Sequence, residues 1–291
     1  MAAQRILTTM LAFTACLVRC TEAFASPPNR SPAMENWYDY PQYFDMVFRD
    51  ETQAEVEFFE RAFERYRSDS PTTKLLEPGC GSGRLVAAMA ARGYQLTGLD
   101  LNQPMLDYLR KRLSRRKIDA TLVRGDMTQM EFSEPFHAAF CTFNTFRHLL
   151  SEADAESHLR SVADHLVTGG IYILGFHCIP MDADPESTER WTASHGGTRV
   201  HVTLKVIDFN RRKRQETLRA SIKAQTRSGK IHRIRSEFPL RLYTITQAKS
   251  LFRKVKDQFE LLAAFDFDYD IDHPRTMDDD LVDAVFILKR R

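Results

Sequence analysis

Cysteine is scarce here and carries no pairing signal. Cys16, Cys20, Cys80, Cys141 and Cys178 form no CxxC pair, so a disulfide scaffold is excluded and the thiols read as free and reduced. Charge of one sign is also lacking, with 41 Lys and Arg against 39 Asp and Glu. Arg5, Arg19 and Arg30 against Glu22 account for the whole formal charge of +2, so bulk charge names neither nucleic acid nor an anionic membrane as partner. With 12 Gly and 12 Pro among 291 residues and 43% hydrophobic side chains, the chain is neither collagen-like nor disordered, and it is long enough for one sizeable core. The sequence has no internal repeat, and no metal-ligand set is expected.

No apolar run is long enough to anchor the chain. Residues 6–18 follow Arg5 and lead to Ala23-Phe24-Ala25 and Ser26-Pro27-Pro28, a signal-peptide outline too short to span a bilayer. Arg19, Glu22 and the odd cysteine count speak against export. The alternative start is Met34, which leaves 1–33 untranslated or disordered. The expectation is a cytoplasmic protein without an integral membrane anchor, exported only if residues 1–25 act as a signal peptide.

What is present is an alternation of short apolar runs and helical patterns from Leu75 onward, the signature of a mostly parallel sheet with crossover helices. Strands are expected at 74–76, 95–99, 120–123, 136–143 and 171–176. A helix is expected over 84–92. Another is capped by Asn102 and places Met105, Leu106, Leu109 and Leu113 on one face. Ser151 and Asp154 open a helix over 155–166 that Gly169-Gly170 closes, and Thr244 with Gln247 opens one over 247–256. Between them Val200, Val202, Leu204 and Val206, then Leu218, Ala220, Ile222 and Ala224, then 231–243 form an antiparallel meander polar on one face. Strands at 259–267 and 283–288, joined by an acidic loop, end the chain. This gives an N-terminal segment 1–33, a helical lid 34–71, a core 72–180, an inserted β meander 181–243 and a C-terminal helix and strand pair 244–291.

The glycine-rich turn after the first strand is by itself a weak signal. Its glycines, 79, 81 and 83, are followed by Arg84-Leu85, which fits neither GxGxxG nor a P-loop. What remains is Glu77-x-Gly-x-Gly-x-Gly with Asp100 closing the next strand. An acid there can accept both ribose hydroxyls, and small residues at the turn admit a ligand close to backbone. Asp126, closing strand three, can accept from an exocyclic amine, and Met127 and Phe143 offer faces to a base. The set describes a nucleoside site without a pyrophosphate cradle.

Leu76-Glu77-Pro78-Gly79-Cys80-Gly81-Ser82-Gly83, Gly98-Leu99-Asp100-Leu101-Asn102 and Gly125-Asp126-Met127 resemble the motifs of class I S-adenosylmethionine-dependent methyltransferases, over about residues 72–177. The resemblance implies an α/β, doubly wound, mostly parallel seven-stranded sheet in order 3-2-1-4-5-7-6 carrying the inserted meander. It implies S-adenosylmethionine as cofactor, held by Glu77, Gly79, Cys80, Gly81, Gly83, Arg84, Asp100, Leu101, Met105, Asp126, Met127 and Phe143. Glu77 and Gly79 would face the methionine end, Asp100 the ribose, Asp126 and Met127 the adenine. His137 stands where the family usually has Asp, at the start of strand four.

The meander, Tyr38-Asp39-Tyr40-Pro41 and Asn144-Thr145-Phe146-Arg147-His148 are similar to the small-molecule branch, including sugar N-methyltransferases. The expected reaction is methyl transfer to N or O of a small acceptor. A neutral amine needs no strong base; a hydroxyl needs one, for which His148 and His177 are the catalytic candidates. Tyr38, Tyr43, Asn144 and Arg147 are the candidate acceptor-binding residues, with a surface pairing of Arg147 to Glu152 as the bland alternative. Arg211-Arg212-Lys213-Arg214 reads as a solvated hairpin turn. Neither Asn-Pro-Pro-Tyr nor Pro-Cys is present, so no nucleic-acid acceptor is expected. The alternatives are methylation of RNA or protein, or a non-catalytic cofactor-binding module, and the meander's apolar alternation would also suit a homodimer interface.

Overall fold

The computed structural model describes residues 36–49, 52–67, 71–180, 182–184 and 187–291, and the segment 1–33 with Cys16 and Cys20 lies outside them. The core sheet uses β1 (Lys74–Pro78), β2 (Gln95–Asp100), β3 (Thr121–Arg124), β4 (Phe136–Cys141), β5 (Leu166–His177), β10 (Phe259–Asp266) and β11 (Asp283–Arg290). Their order is β10-β11-β5-β4-β1-β2-β3, the expected arrangement, with β11 antiparallel to both neighbours and the other pairings parallel. Successive strand residues point to opposite faces. Leu75, Phe140 and Ile173 therefore pack with α2 (Thr52–Tyr66), α3 (Arg84–Ala90) and α4 (Gln103–Arg116). Leu76, Cys141 and Leu174 pack on the other face with α5 (Glu152–Asp164) and α6 (Ile245–Lys254). A sheet covered on both faces requires the near-continuous apolar β4.

The caps form as their sequences dictate. Asn102 Oδ1 accepts from the Met105 backbone N–H at 2.9 Å, Ser151 Oγ from that of Asp154 at 3.0 Å, and Thr244 with Gln247 completes a reciprocal capping box. Gly169-Gly170 does not close α5. Both glycines lie inside β5, where the pairing register with β4 shifts, and a Cβ on Gly170 would meet the Val167 oxygen at 2.8 Å and the His137 oxygen at 3.0 Å. His137 replaces the family's usual acid with a neutral acceptor: its Nδ1 takes the backbone N–H groups of Thr73 at 3.0 Å and Lys74 at 3.2 Å.

The insertion is a four-stranded antiparallel sheet in order β6-β7-β8-β9. To the three expected runs, β7 (Thr198–Asn210), β8 (Gln215–Gln225) and β9 (Ile231–Arg241), it adds an edge strand, β6 (Thr188–His195). Its inner face, with Val200, Val202, Ala220, Ile222 and Ile234, packs on Trp37, Tyr43 and Phe48. Trp37 belongs to a 3-10 turn, Trp37–Asp39, and the other two to α1 (Pro41–Phe48). The apolar alternation that suited a dimer is thus covered within the chain. Of the expected lid, only this turn and α1 lie under the insertion. α2 is a layer of the core, burying Val56, Phe59 and Phe63. The basic turn at 211–214 forms as expected, although Arg214 pairs with Glu152 at 2.9 Å.

Candidate active site

The carboxyl ends of β1 to β4 meet at one rim, because all four strands run in the same direction. The loop leaving β1 folds over β2: the Gly79 and Cys80 backbone N–H groups donate to the Leu99 oxygen at 2.7 and 3.0 Å. The turn needs glycine where its neighbours press closest. A Cβ on Gly79 would lie 2.2 Å from Thr145 Cγ2, and one on Gly83 2.2 Å from Leu109 Cδ1, both at positive φ. Gly81 has open space on its Cβ side. Cys80 turns its sulfur inward beside Gly98 and Val86, which leaves only its backbone at the rim.

Two carboxyls face this turn. Asp100 Oδ2 accepts from the Gly81 N–H and Oδ1 from the Asn102 N–H, each at 2.7 Å. Burial pushes the Asp100 carboxyl up, against the opposing pull of those two donors. Glu77 is buried, and burial holds its carboxyl well above the usual range despite the nearby Arg84 charge. The Val86 backbone N–H reaches this carboxyl, but Oε2 is buried with no partner among the described residues. A buried acceptor left unmatched costs about 1 to 3 kcal/mol, so a cationic or N–H-bearing ligand group at that oxygen would be stabilised. Next to Asp100, Leu101 is 63% exposed, an open apolar surface at the same rim. These features fit an adenosyl compound with an amino-acid end.

Asp126 is exposed, with Oδ1 accepting from the Thr128 N–H and hydroxyl at 2.8 Å each and Oδ2 unengaged among the described residues. Met127 is buried, its sulfur 3.9 Å from the Cβ position of Gly79, so the first and third strand ends meet. His158 braces that loop, its Nδ1 at 2.9 Å from the Met127 oxygen and its Nε2 at 2.7 Å from the Tyr172 hydroxyl. Met105 is buried in the first turn of α4.

After β4 the chain turns through Phe143 at φ 64° and Asn144 at φ 65°, left-handed backbone that Asn tolerates far better than Phe. The Phe143 ring lies 4.9 Å from that of Phe48 and 5.4 Å from the Arg84 guanidinium carbon. Arg84 itself forms an ion pair with Glu55, a fully buried carboxylate on α2 that also accepts from Thr142 Oγ1 at 2.8 Å and Tyr269 OH at 2.9 Å. Glu55 was not among the sequence candidates. The available signal was a carboxylate at 55 in the apolar stripe of Phe59 and Ala62, at helix-face spacing.

The remaining candidates divide into two groups. Tyr38 OH lies 2.9 Å from His148 Nε2, joining the turn before α1 to the loop after β4. His148 is itself exposed to solvent, and partial desolvation of the imidazole, then the Arg147 charge, lowers it below the usual histidine value, so the ring is neutral near pH 7. His177, half-buried with Nε2 3.5 Å from Asp283, is lowered to about 3 by burial, and burial raises Asp283 to about 6. Asn144 Oδ1 accepts the His177 backbone N–H at 2.9 Å, which draws the two strand ends together.

Arg147 is not at the surface and does not pair with Glu152. It is 2% exposed, ion-paired with Glu216 of β8, and donates from Nε to the Arg241 oxygen at 2.8 Å. Glu152 is instead held by Arg214, Arg241 and Lys254. The Arg147 guanidinium is therefore engaged in joining the loop to the insertion. Tyr43 is buried between α1 and the inserted sheet, its ring 6.1 Å from Tyr40.

The family profile described as "Methyltransferase domain" matches residues 75–170. A dTDP-3-amino-3,6-dideoxy-alpha-D-glucopyranose N,N-dimethyltransferase of Streptomyces fradiae is 30% identical over 135 residues, covering 46% of this chain and 51% of that protein. The chain spans about half the length of the curated relatives it matches. A solved S-adenosylmethionine-dependent methyltransferase of Clostridium acetobutylicum superposes with TM-score 0.70 at 14% identity, covering 87% of this chain and 98% of that one. The sugar N-methyltransferase KedS8 of a Streptoalloteichus species gives TM-score 0.67 at 18% identity, covering 96% and 100%. The chain therefore shares the fold of these methyltransferases, and its stretch from β1 into β5 is similar to the methyltransferase domain.

Proposed function

We propose that this protein methylates the nitrogen of a small polar acceptor, of the amino-sugar kind on which its relatives act, with S-adenosylmethionine as donor. The observation that carries the reading is the pair of carboxyls facing the glycine turn at the ends of β1 and β2, Glu77 buried with an unmatched oxygen and Asp100 half-buried and holding the Gly81 N–H. When bound, the cofactor supplies an electrophilic methyl group on a sulfonium sulfur. Glu77 would hold its amino-acid end, Asp100 its ribose, Leu101 and Met127 the adenine faces, and Asp126 Oδ2 the exocyclic amine. Arg84, fixed by Glu55, would set the charge balance around Glu77.

The chain's contribution to rate is placement, worth up to about 10⁵ to 10⁸ M in effective concentration. The Tyr38–His148 pair stands between α1 and the loop after β4, where it can orient an acceptor amine. A neutral His148 can take the proton that amine loses, and an oxygen acceptor would lean on it more heavily. Asn144 and His177 shape the same loop, while Arg147 and Tyr43 support it from behind. The buried thiols Cys80, Cys141 and Cys178 are unpaired, as suits a reducing, cytoplasmic setting. Among the described residues no helix is long and apolar enough to cross a membrane.

The test is product formation from labelled S-adenosylmethionine with a panel of nucleotide-linked amino sugars and their hydroxy counterparts. Label in the amines, lost in Glu77→Gln, is expected. Cofactor binding with no label in any acceptor would favour the non-catalytic module, and label in RNA or protein alone would overturn the small-molecule reading.

A further inference from the structure

The outer face of the inserted sheet is a cationic plane. Strand register places Thr192, His201, Lys223 and Arg233 in one cross-strand row, and Arg190, Thr203, Ser221 and Arg235 in the next. Flanking rows bring Arg199 and Lys205 to the same face. Arg190, Arg199, Lys205, Lys223, Arg233 and Arg235 are all exposed, and none forms an ion pair among the described residues. One carboxylate shares these rows, Glu237, and it is held by Arg219 at 2.7 Å. Lys223 and Arg233 stand directly opposite each other, an arrangement of like charges that weakens a sheet. From ordinary strand and residue spacings the plane measures about 15 by 20 Å.

We propose that this face docks the protein on an anionic lipid surface. The charge of this face would repel a second copy of itself. Its four rows contain no Phe, Tyr or Trp, the large rings that single-stranded nucleic acid uses for base stacking. They do contain Ile231, 40% exposed, in the row of Arg199. An apolar side chain set among cations is the pairing that peripheral membrane contacts use. The inner face stays bound to α1, so docking leaves the rim of β1 to β4 unaltered.

The test is vesicle flotation of the full chain on phosphatidylcholine alone and on a phosphatidylcholine–phosphatidylserine mixture. Binding to the mixture only, weakening as salt is raised, is expected. Each cation near such a surface multiplies affinity about five-fold, so Arg233→Gln with Arg235→Gln should weaken binding about 25-fold. Ile231→Ser should weaken it with charge unchanged, and melting temperatures equal to wild type confirm that the variants fold. Equal retention on both vesicle types would overturn the proposal, as would undiminished binding by the double variant. So would capture by duplex RNA at lower protein concentration than vesicles in the same buffer.

Discussion

The two sheets solve burial differently. The core sheet is covered by helices on both faces and directs its polar residues to strand ends, where Glu77, Asp100 and Asp126 gather. The inserted sheet is covered on one face by α1 and leaves the other to solvent, so its polar residues occupy every second position. In the first, chemistry is confined to a rim; in the second, it is spread over a plane. The two meet through Arg147, which carries charge from the loop after β4 to Glu216 of β8.

Breaking that junction should have the largest effect. Arg147→Ala leaves the 5% exposed Glu216 side chain buried without its cation, a loss of about 3 to 5 kcal/mol by urea unfolding. A loss under about 1 kcal/mol would show that the sheets do not depend on this pair. Next comes the cofactor rim: Asp100→Ala should weaken S-adenosylmethionine binding by about 1.5 to 3 kcal/mol in calorimetry.

Acid should act on the core through its neutral imidazoles. Burial lowers His158 to about 4, below the ordinary value of 6.5, so the unfolded chain binds this proton more readily. Stability is then complete above about pH 6.5 and lost as pH falls toward 4, by about 2 kcal/mol at pH 5 from His158 alone. Urea midpoints at pH 7.5 and 5 measure this, and His158→Gln should remove that share of the slope. A smaller effect is expected at His148. Its replacement by Gln should lower kcat/KM about five- to tenfold if it orients an amine, the scale of one hydrogen bond. A loss beyond about 10² would make it an essential base. Smallest of all, Lys223→Gln on the outer plane should leave unfolding free energy within about 0.5 kcal/mol.

The same contrast explains what the sequence revealed. Core order, Asn102 and the Thr244–Gln247 box were legible because apolar periodicity and caps are local signals. β6 was not, since Thr188–His195 is an edge strand with no fully buried residue and hence no apolar alternation. Gly169-Gly170 carries a helix-stop pattern, yet part of the crowding that demands glycine comes from the His137 oxygen of β4, which no local window contains. Arg147 and Glu216 are 69 residues apart, so neither betrayed its burial. The rim acids were readable by position, whereas the unmatched Glu77 oxygen and the Glu55–Arg84 support emerge only in three dimensions.

Calorimetric titration of the purified chain with S-adenosylmethionine and S-adenosylhomocysteine, repeated on Asp100→Ala, probes the rim most directly. Saturable binding of both by the wild type, weakened in the variant, is the predicted result. Absence of heat with either compound, or equal affinity in the variant, would contradict the assignment of these strand ends to an adenosyl ligand.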